Sequence, residues 1–404
     1  MKYISPEEAG FSTEKLQKVD SLYNKNGADA LLIIYKGNIL FSKGDISRRF
    51  DCHSIRKSLL SAVYGLYSDK GLIDINKTLN EIGIDDIIGL TELEKSAKIE
   101  DLLKSKSGIY IPALGETKSM SESRPQRSSH KPGEFYYYNN WDFNALNTIF
   151  QKETGIDVVT AFYESIAQPI GMEDYRNMDS RLWLDSKIET IHPKYDVKIS
   201  ARDLARFGLL YCDNGLWGDK QVISKEWISN SFKSYSHIEH ENYEESYGYM
   251  WWIRGLSDSI SYYSGRGWGG HLLTIIPALD IVLVKRHDTY KSSGGEKWED
   301  LYINTIINAK TSQAKKEPDL LLFEIDKSVS IDTISLSRNE LLDYVQVVFY
   351  KGRLRKIHFN DNRLIFDDNF IMQPVSNDKF YIEDYDMYMY FTFENNKPKF
   401  DRIE

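Results

Sequence analysis

Strand-like segments in the first three hundred residues fall into two groups, separated by a long stretch that has few of them. Residues 30–35 and 39–41, joined at Gly37-Asn38 where positive φ is tolerated, predict a tight β-hairpin. Strand character returns only at 247–253, 272–276 and 281–284. One antiparallel sheet must therefore be assembled from both ends of this region, with residues 72–240 as an α-rich insertion. Helical patterns flank the strands. Phe11, Leu16, Val19 and Leu22 share one side of a helix over 11–24, and Trp298, Leu301, Ile303, Ile306 and Ile307 mark an amphipathic helix over 296–309 able to cover the sheet.

The run Lys310 to Asp319 is polar, contains Pro318 and reads as a linker. Beyond it, short β runs at 344–350, 354–359, 363–366, 380–382 and 387–393 alternate with turns such as Lys351-Gly352 and Asn395-Asn396. The expected fold is α+β: an antiparallel sheet flanked by helices over 1–309, a linker over 310–319, and a small antiparallel β domain over 320–404.

An apolar content of 41% supports a sizeable core, yet no apolar run approaches the 18 residues of a membrane span. The net charge of −9 and the lack of a dense basic block argue against nucleic acid as a partner. The N-terminus, Met1-Lys2-Tyr3-Ile4-Ser5-Pro6, carries no basic-then-apolar signal, so the expected location is the cytoplasm. Cys52 and Cys212 are too few for a disulfide framework or a zinc site.

Three motifs carry chemistry. The first is Ser54-Ile55-Arg56-Lys57, at the start of a helix whose apolar stripe runs through Ile55, Leu59, Ala62, Val63 and Leu66 and which Gly71 closes. Residues three apart share a helix face, so a hydroxyl and an amine come within hydrogen-bond reach, and the helix N-terminus favours negative charge there. The same spacing recurs at Ser12/Lys15, Ser128/Lys131 and Ser312/Lys315, but only Ser54 opens a strongly apolar helix.

The second is Lys131-Pro132-Gly133, followed by an aromatic run ending in Tyr138-Asn139-Asn140. A tyrosine beside a lysine can act as general base, and an asparagine can orient the lysine and bond a substrate amide. Tyr137/Asn139 and Tyr302/Asn304 share the spacing, and a packed aromatic is the blander reading of any one tyrosine. The third is Ser264-Gly265-Arg266-Gly267-Trp268-Gly269-Gly270-His271, a glycine-rich stretch directly before an apolar strand that lets backbone approach a ligand. Its N–H groups, with that of Ser54, could form an oxyanion hole.

Other chemistries find less support. Cys52 has no better base than Lys57 gives Ser54. Among the eight histidines, His53, His130 and His271 lie near the motifs, but no Gly-x-Ser-x-Gly elbow accompanies them. His237 and His240 have metal-like spacing in what reads as a solvated loop or helix surface.

In combination and order, the three motifs resemble the β-lactamase-related serine hydrolases, the group that takes in class C β-lactamases, D-amino-acid peptidases and family VIII-type esterases. Residues 5–11, 99–108 and 200–208 match its usual pattern as well, so the resemblance spans roughly 5–309. It implies a β-lactamase/transpeptidase-like fold, Ser54 as nucleophile, Lys57 as its activator, Tyr138 as general base and acid, and Asn140 as a lysine and substrate contact. It makes Gly267 the third-motif glycine and Trp268 the donor of the second oxyanion N–H, with no metal or organic cofactor. Gly265 then stands where the family often has Lys or His, and Arg266 or His271 are the residues that could substitute, although out of register. This departure argues against efficient β-lactamase or carboxypeptidase activity. With Tyr110, Tyr137, Trp141 and Trp268 expected to line an apolar pocket, the implied substrate is a carboxylic ester, small amide or peptide-like molecule. The other reading is a penicillin-binding or D-amino-acid peptidase-like protein that acylates but turns over slowly.

Overall fold

Lys36 and Gly37, at φ 47° and 74°, turn the chain between β1 (Ala30–Tyr35) and β2 (Asn38–Gly44). In this computed structural model, residues 1–176, 181–184, 188, 190–289, 298–311, 314, 331–350, 353–366, 370–382 and 387–403 are described. The chain divides into two compact units, Met1–Ile325 and Asp326–Glu404.

In the first unit, the hairpin joins six later strands: β3 (Ser236–Glu239), β4 (Glu244–Tyr247), β5 (Trp252–Ser257), β6 (Ile260–Gly267), β7 (His271–Ile276) and β8 (Ile281–Arg286). The order is β2-β1-β8-β7-β6-β5-β4-β3, antiparallel throughout. Side-chain alternation gives the sheet two buried faces. Leu31, Ile33 and Leu283 pack on α1 (Thr13–Asn26) and α5 (Glu299–Ala309). Leu32, Ile34, Val282 and Leu273 face the larger core that contains α2 (Arg56–Asp69), α3 (Asn140–Thr154) and α4 (Ala201–Cys212). Gly71 adopts φ 70° just past α2, and its N–H bonds to Ser68 O, so the chain turns away as the sequence pattern predicts.

Several local expectations are corrected. The 247–253 run is two strands, because Met250 at φ 60° breaks it between β4 and β5. The segment around His237 is a strand, β3, on the sheet edge. The glycine-rich third motif is at a strand edge, as its reading as an oxyanion element expects: Gly265, Arg266 and Gly267 end β6 and pair with Leu273, Leu272 and His271 of β7. On its other side β5 pairs only as far as Trp252 opposite Ser264, so this last stretch has a locally open edge.

The expected 310–319 linker lies outside the described residues except for Lys310, Thr311 and Ala314. Lys310 bridges to Phe11, and Thr311 N donates to Gly10 O at 2.7 Å, so the start of that segment is fastened to the first unit. The Ser312/Lys315 look-alike and residues 296–297 of the last core helix also fall outside the described residues.

The second unit is a seven-stranded antiparallel meander over Gln346–Ile403, each strand pairing with the next. Its nearly closed sheet wraps a core of Val348, Ile357, Leu364, Phe380, Met389 and Phe391. Gln346 bridges first strand to last, since its Nε2 donates to Pro398 O at 3.3 Å and its Oε1 accepts from Phe400 N at 3.1 Å.

Candidate active site

The nucleophile candidate sits in a tight turn held from several sides. Cys52 N donates to Val197 O at 2.8 Å, and His53 N donates to Asp51 Oδ1 at 2.9 Å. His53 adopts φ 47°, a left-handed conformation uncommon for a residue with a side chain. Ser54 follows within the 3₁₀ turn His53–Ile55, which runs directly into α2. Arg56 reaches back and donates from Nη1 to His53 O at 3.1 Å, bracing the turn.

One helical turn on, Lys57 is fully buried and its amine lies within hydrogen-bond distance of three groups. Its Nζ lies 3.0 Å from Ser54 Oγ, 2.6 Å from Tyr138 Oη and 2.9 Å from Asn140 Oδ1. The Tyr138 and Phe143 rings lie against the amine, with centroids 4.1 and 4.4 Å away. Burial, reinforced by the charges of Arg56 and Lys194, holds its pKa well below the ordinary lysine value. A neutral amine offers two protons and one lone pair, so at least one of the three neighbours must donate to it, and both hydroxyls can.

Tyr138 and Asn140 reach this point because Asn139 caps α3. Asn139 Oδ1 accepts from Trp141 N at 3.1 Å, while its Nδ2 donates to Ile109 O and to Asp142 Oδ1 at 2.6 and 2.9 Å. Tyr137 points elsewhere and donates to Met120 O at 2.7 Å. The Tyr302 hydroxyl accepts from Asn26 at 2.9 Å, and Ser12 is an ordinary N-cap that accepts from Lys15 N.

The end of β6 presses against the same turn. A Cβ added to Gly267 would lie 2.6 Å from Cys52 O, and one added to Gly265 would lie 3.0 Å from Ser58 Oγ. Any side chain at the third-motif position would therefore press on α2, which would have to give by a few tenths of an ångström. Trp268, at the tip, is 50% exposed, with its ring 5.6 Å from that of His53.

The two residues expected to replace the missing base are committed elsewhere. Arg266 pairs with Glu245 at 2.6 Å and Glu299 at 2.9 Å, and its guanidinium stacks on Trp252, whose ring packs on Tyr138 with centroids 5.3 Å apart. His271 is fully buried, its Nδ1 accepts from His287 N at 3.4 Å, and burial keeps its pKa well below the usual value.

Other expectations also meet the structure here. Trp141 is no pocket wall, since it is fully buried and its Nε1 donates to Asp86 at 2.8 Å. Cys52 is buried, which pushes its thiol up to about 12. His53 bonds to Thr289 Oγ1 at 2.9 Å and His130 to Ser129 Oγ at 2.9 Å. His240 pairs with Glu245, and among the described residues no group of three or more potential metal ligands occurs. Sequence reading did not anticipate the left-handed backbone of His53, and it did not single out Phe143 or Lys194, because neither lies in a motif of its own.

The model of the family described as Beta-lactamase matches residues 29–293, which contain Ser54, Lys57, Tyr138, Asn140 and the end of β6. The chain belongs to the Beta-lactamase family. Solved structures with its fold include a Bacillus anthracis protein assigned as a 6-aminohexanoate-dimer hydrolase, with 20% identity, 76% of this chain and 86% of that one covered, and a TM-score of 0.56. The octameric penicillin-binding protein homologue of Pyrococcus abyssi is similar over 96% of this chain and 94% of its own, with 16% identity and a TM-score of 0.55. A family VIII carboxylesterase is similar over 76% of this chain and 99% of its own, with 15% identity and a TM-score of 0.55. No curated protein sequence matches the chain. Membership of the Beta-lactamase family and these likenesses establish a β-lactamase/transpeptidase-like fold.

Proposed function

We propose that this protein is a serine hydrolase that works through an acyl-enzyme on a carboxylic ester or small amide. The observation that carries the reading is that one buried amine, Lys57 Nζ, lies within hydrogen-bond distance of Ser54 Oγ, Tyr138 Oη and Asn140 Oδ1 at once. In its free-base form the desolvated Lys57 amine, whose pKa burial lowers, accepts the Ser54 proton as Oγ attacks the carbonyl carbon. The oxyanion that forms accepts from the N–H groups of Ser54 and Trp268. Collapse breaks the bond to the leaving group, which takes its proton from the Lys57/Tyr138 pair. Water then attacks the acyl-enzyme, the same pair removes its proton, and the carboxylic acid leaves with Ser54 restored.

The substrate preference follows from Gly265. The chain carries no side chain at the position of the cation that holds a β-lactam or C-terminal carboxylate in the resembling enzymes, and a Cβ there would already stand 3.0 Å from Ser58 Oγ. Esters and amides without that requirement fit better. The carboxylesterase and the dimer-hydrolase assignment among the structural neighbours support this direction. Turnover of p-nitrophenyl butyrate tests it: Ser54→Ala should lower kcat by about 10⁴-fold or more, and a variant retaining a tenth of the activity would refute the nucleophile.

A further inference from the structure

With no side chain at Gly265 and Arg266 held by two carboxylates, the cation whose stem lies beside the Asn140 carboxamide is Lys194. It begins the short strand Lys194–Asp196, and the following residues are stitched to the nucleophile turn. Phe50 and Asp51 pair with Ile199 and Lys198, and Cys52 N donates to Val197 O at 2.8 Å. The backbone thus fixes Lys194 relative to Ser54.

Its side chain runs over Gly115, an exposed glycine at φ 79°. A Cβ at Gly115 would lie 3.0 Å from Lys194 Cδ, 3.3 Å from its Cε and 3.5 Å from Asn140 Nδ2. The lysine stem and the Asn140 carboxamide therefore flank one small space on the rim of the site, and the other end of that carboxamide holds Lys57. Asp196 Oδ1, 2.7 Å from Lys194 Nζ, keeps the ammonium there, and a bound anion would share it with Asp196. The charge of Lys194 acts on Lys57, His53 and Asp51 alike, which agrees with an ammonium facing the site.

Resting on the serine-hydrolase reading, we infer that Lys194 is a specificity-determining residue that binds an anionic group of the substrate, and that preferred substrates carry a carboxylate on the Asn140 side of the scissile carbonyl. Bonds from a charged donor to a carboxylate in a partly buried site make a preference of about 10- to 100-fold the expected scale.

The test is the ratio of kcat/KM for mono-p-nitrophenyl adipate and suberate to that for p-nitrophenyl hexanoate and octanoate. A ratio cancels any change in Lys57 basicity when the neighbouring charge is removed. The wild type should prefer the carboxylated esters by about tenfold or more, Lys194→Met should bring the ratio to near one, and Lys194→Arg should retain it. Equal turnover of both ester classes by the wild type, or a preference that survives in Lys194→Met, overturns the inference and leaves the hydrolase reading intact. Turnover of neither class, with no acylation of Ser54, overturns that reading and this inference with it.

Discussion

Substituting Gly265 with alanine puts the closeness of β6 and α2 to a quantitative test. The new Cβ would stand 3.0 Å from Ser58 Oγ, 3.4 Å from Ile55 Cγ2 and 3.6 Å from Ser58 Cβ. Ser58 cannot swing its hydroxyl away freely, since Oγ donates to the buried Met250 O at 2.9 Å. The helix must instead move back by a few tenths of an ångström. Overpacking of this kind costs about 1–3 kcal/mol, while the stiffer unfolded chain returns about 0.4–1 kcal/mol, leaving a net loss of about 1–2 kcal/mol. Ile55 and Ser58 each follow directly after a residue of the Ser54/Lys57 pair, so the displacement reaches the reacting atoms. As a 1 Å misplacement can cost about 100-fold, a shift of a few tenths should lower kcat/KM about three- to tenfold. Urea unfolding and ester turnover would be measured for Gly265→Ala, Ser58→Ala and the double variant. Removing the hydroxyl relieves the clash, so the two changes should couple favourably by about 0.5 kcal/mol or more. Wild-type stability and activity in Gly265→Ala, or strict additivity with Ser58→Ala, would refute the explanation for the missing basic residue.

Other expectations follow from the same geometry. Tyr138→Phe removes the hydroxyl 2.6 Å from Lys57 Nζ and should lower kcat by about 10²–10⁴-fold with little change in KM; a loss under threefold would take Tyr138 out of the proton path. Because the Lys57 pKa is lowered, the free amine persists to lower pH than for an ordinary lysine, and kcat/KM should fall only as acid protonates it. An acid-limb inflection near the ordinary lysine value, about 10.4, contradicts this. Arg266→Met leaves the largely buried Glu245 and Glu299 without their cation and should cost about 3–5 kcal/mol in urea unfolding; a loss below about 1 kcal/mol would show that the pairs do not brace the Trp252 wall.

Much of the site was legible because its parts are short-range. Ser54 and Lys57 lie one helical turn apart, the Asn139 cap presents Tyr138 and Asn140 together, and the apolar stripe from Ile55 to Leu66 marks the helix that carries the nucleophile. The α+β fold and the late return of strands could likewise be read from apolar patterning. Sequence was less informative where tertiary contacts decide. The reason for the glycines at the end of β6 lies outside the motif, since Gly267 has the Cys52 carbonyl and Gly265 the Ser58 hydroxyl pressed against it. Met250 interrupts an apolar run without any turn residue to announce it. Trp141 looks like a pocket aromatic beside Asn140, but helical geometry turns it into the core toward Asp86. Lys194 stands in no motif, and only the pairing of residues 50–52 with 197–199 brings it to the site.

The central claim is that Ser54 is the nucleophile of the first unit, and covalent labelling tests it most directly. The protein would be incubated with a fluorophosphonate, its intact mass measured and the adduct located by peptide mapping. One adduct per chain on Ser54, absent from Ser54→Ala and strongly slowed in Lys57→Met, is the predicted result, with the buried, weakly acidic Cys52 unlabelled. An adduct on another residue, or labelling that persists in Ser54→Ala, would contradict the account.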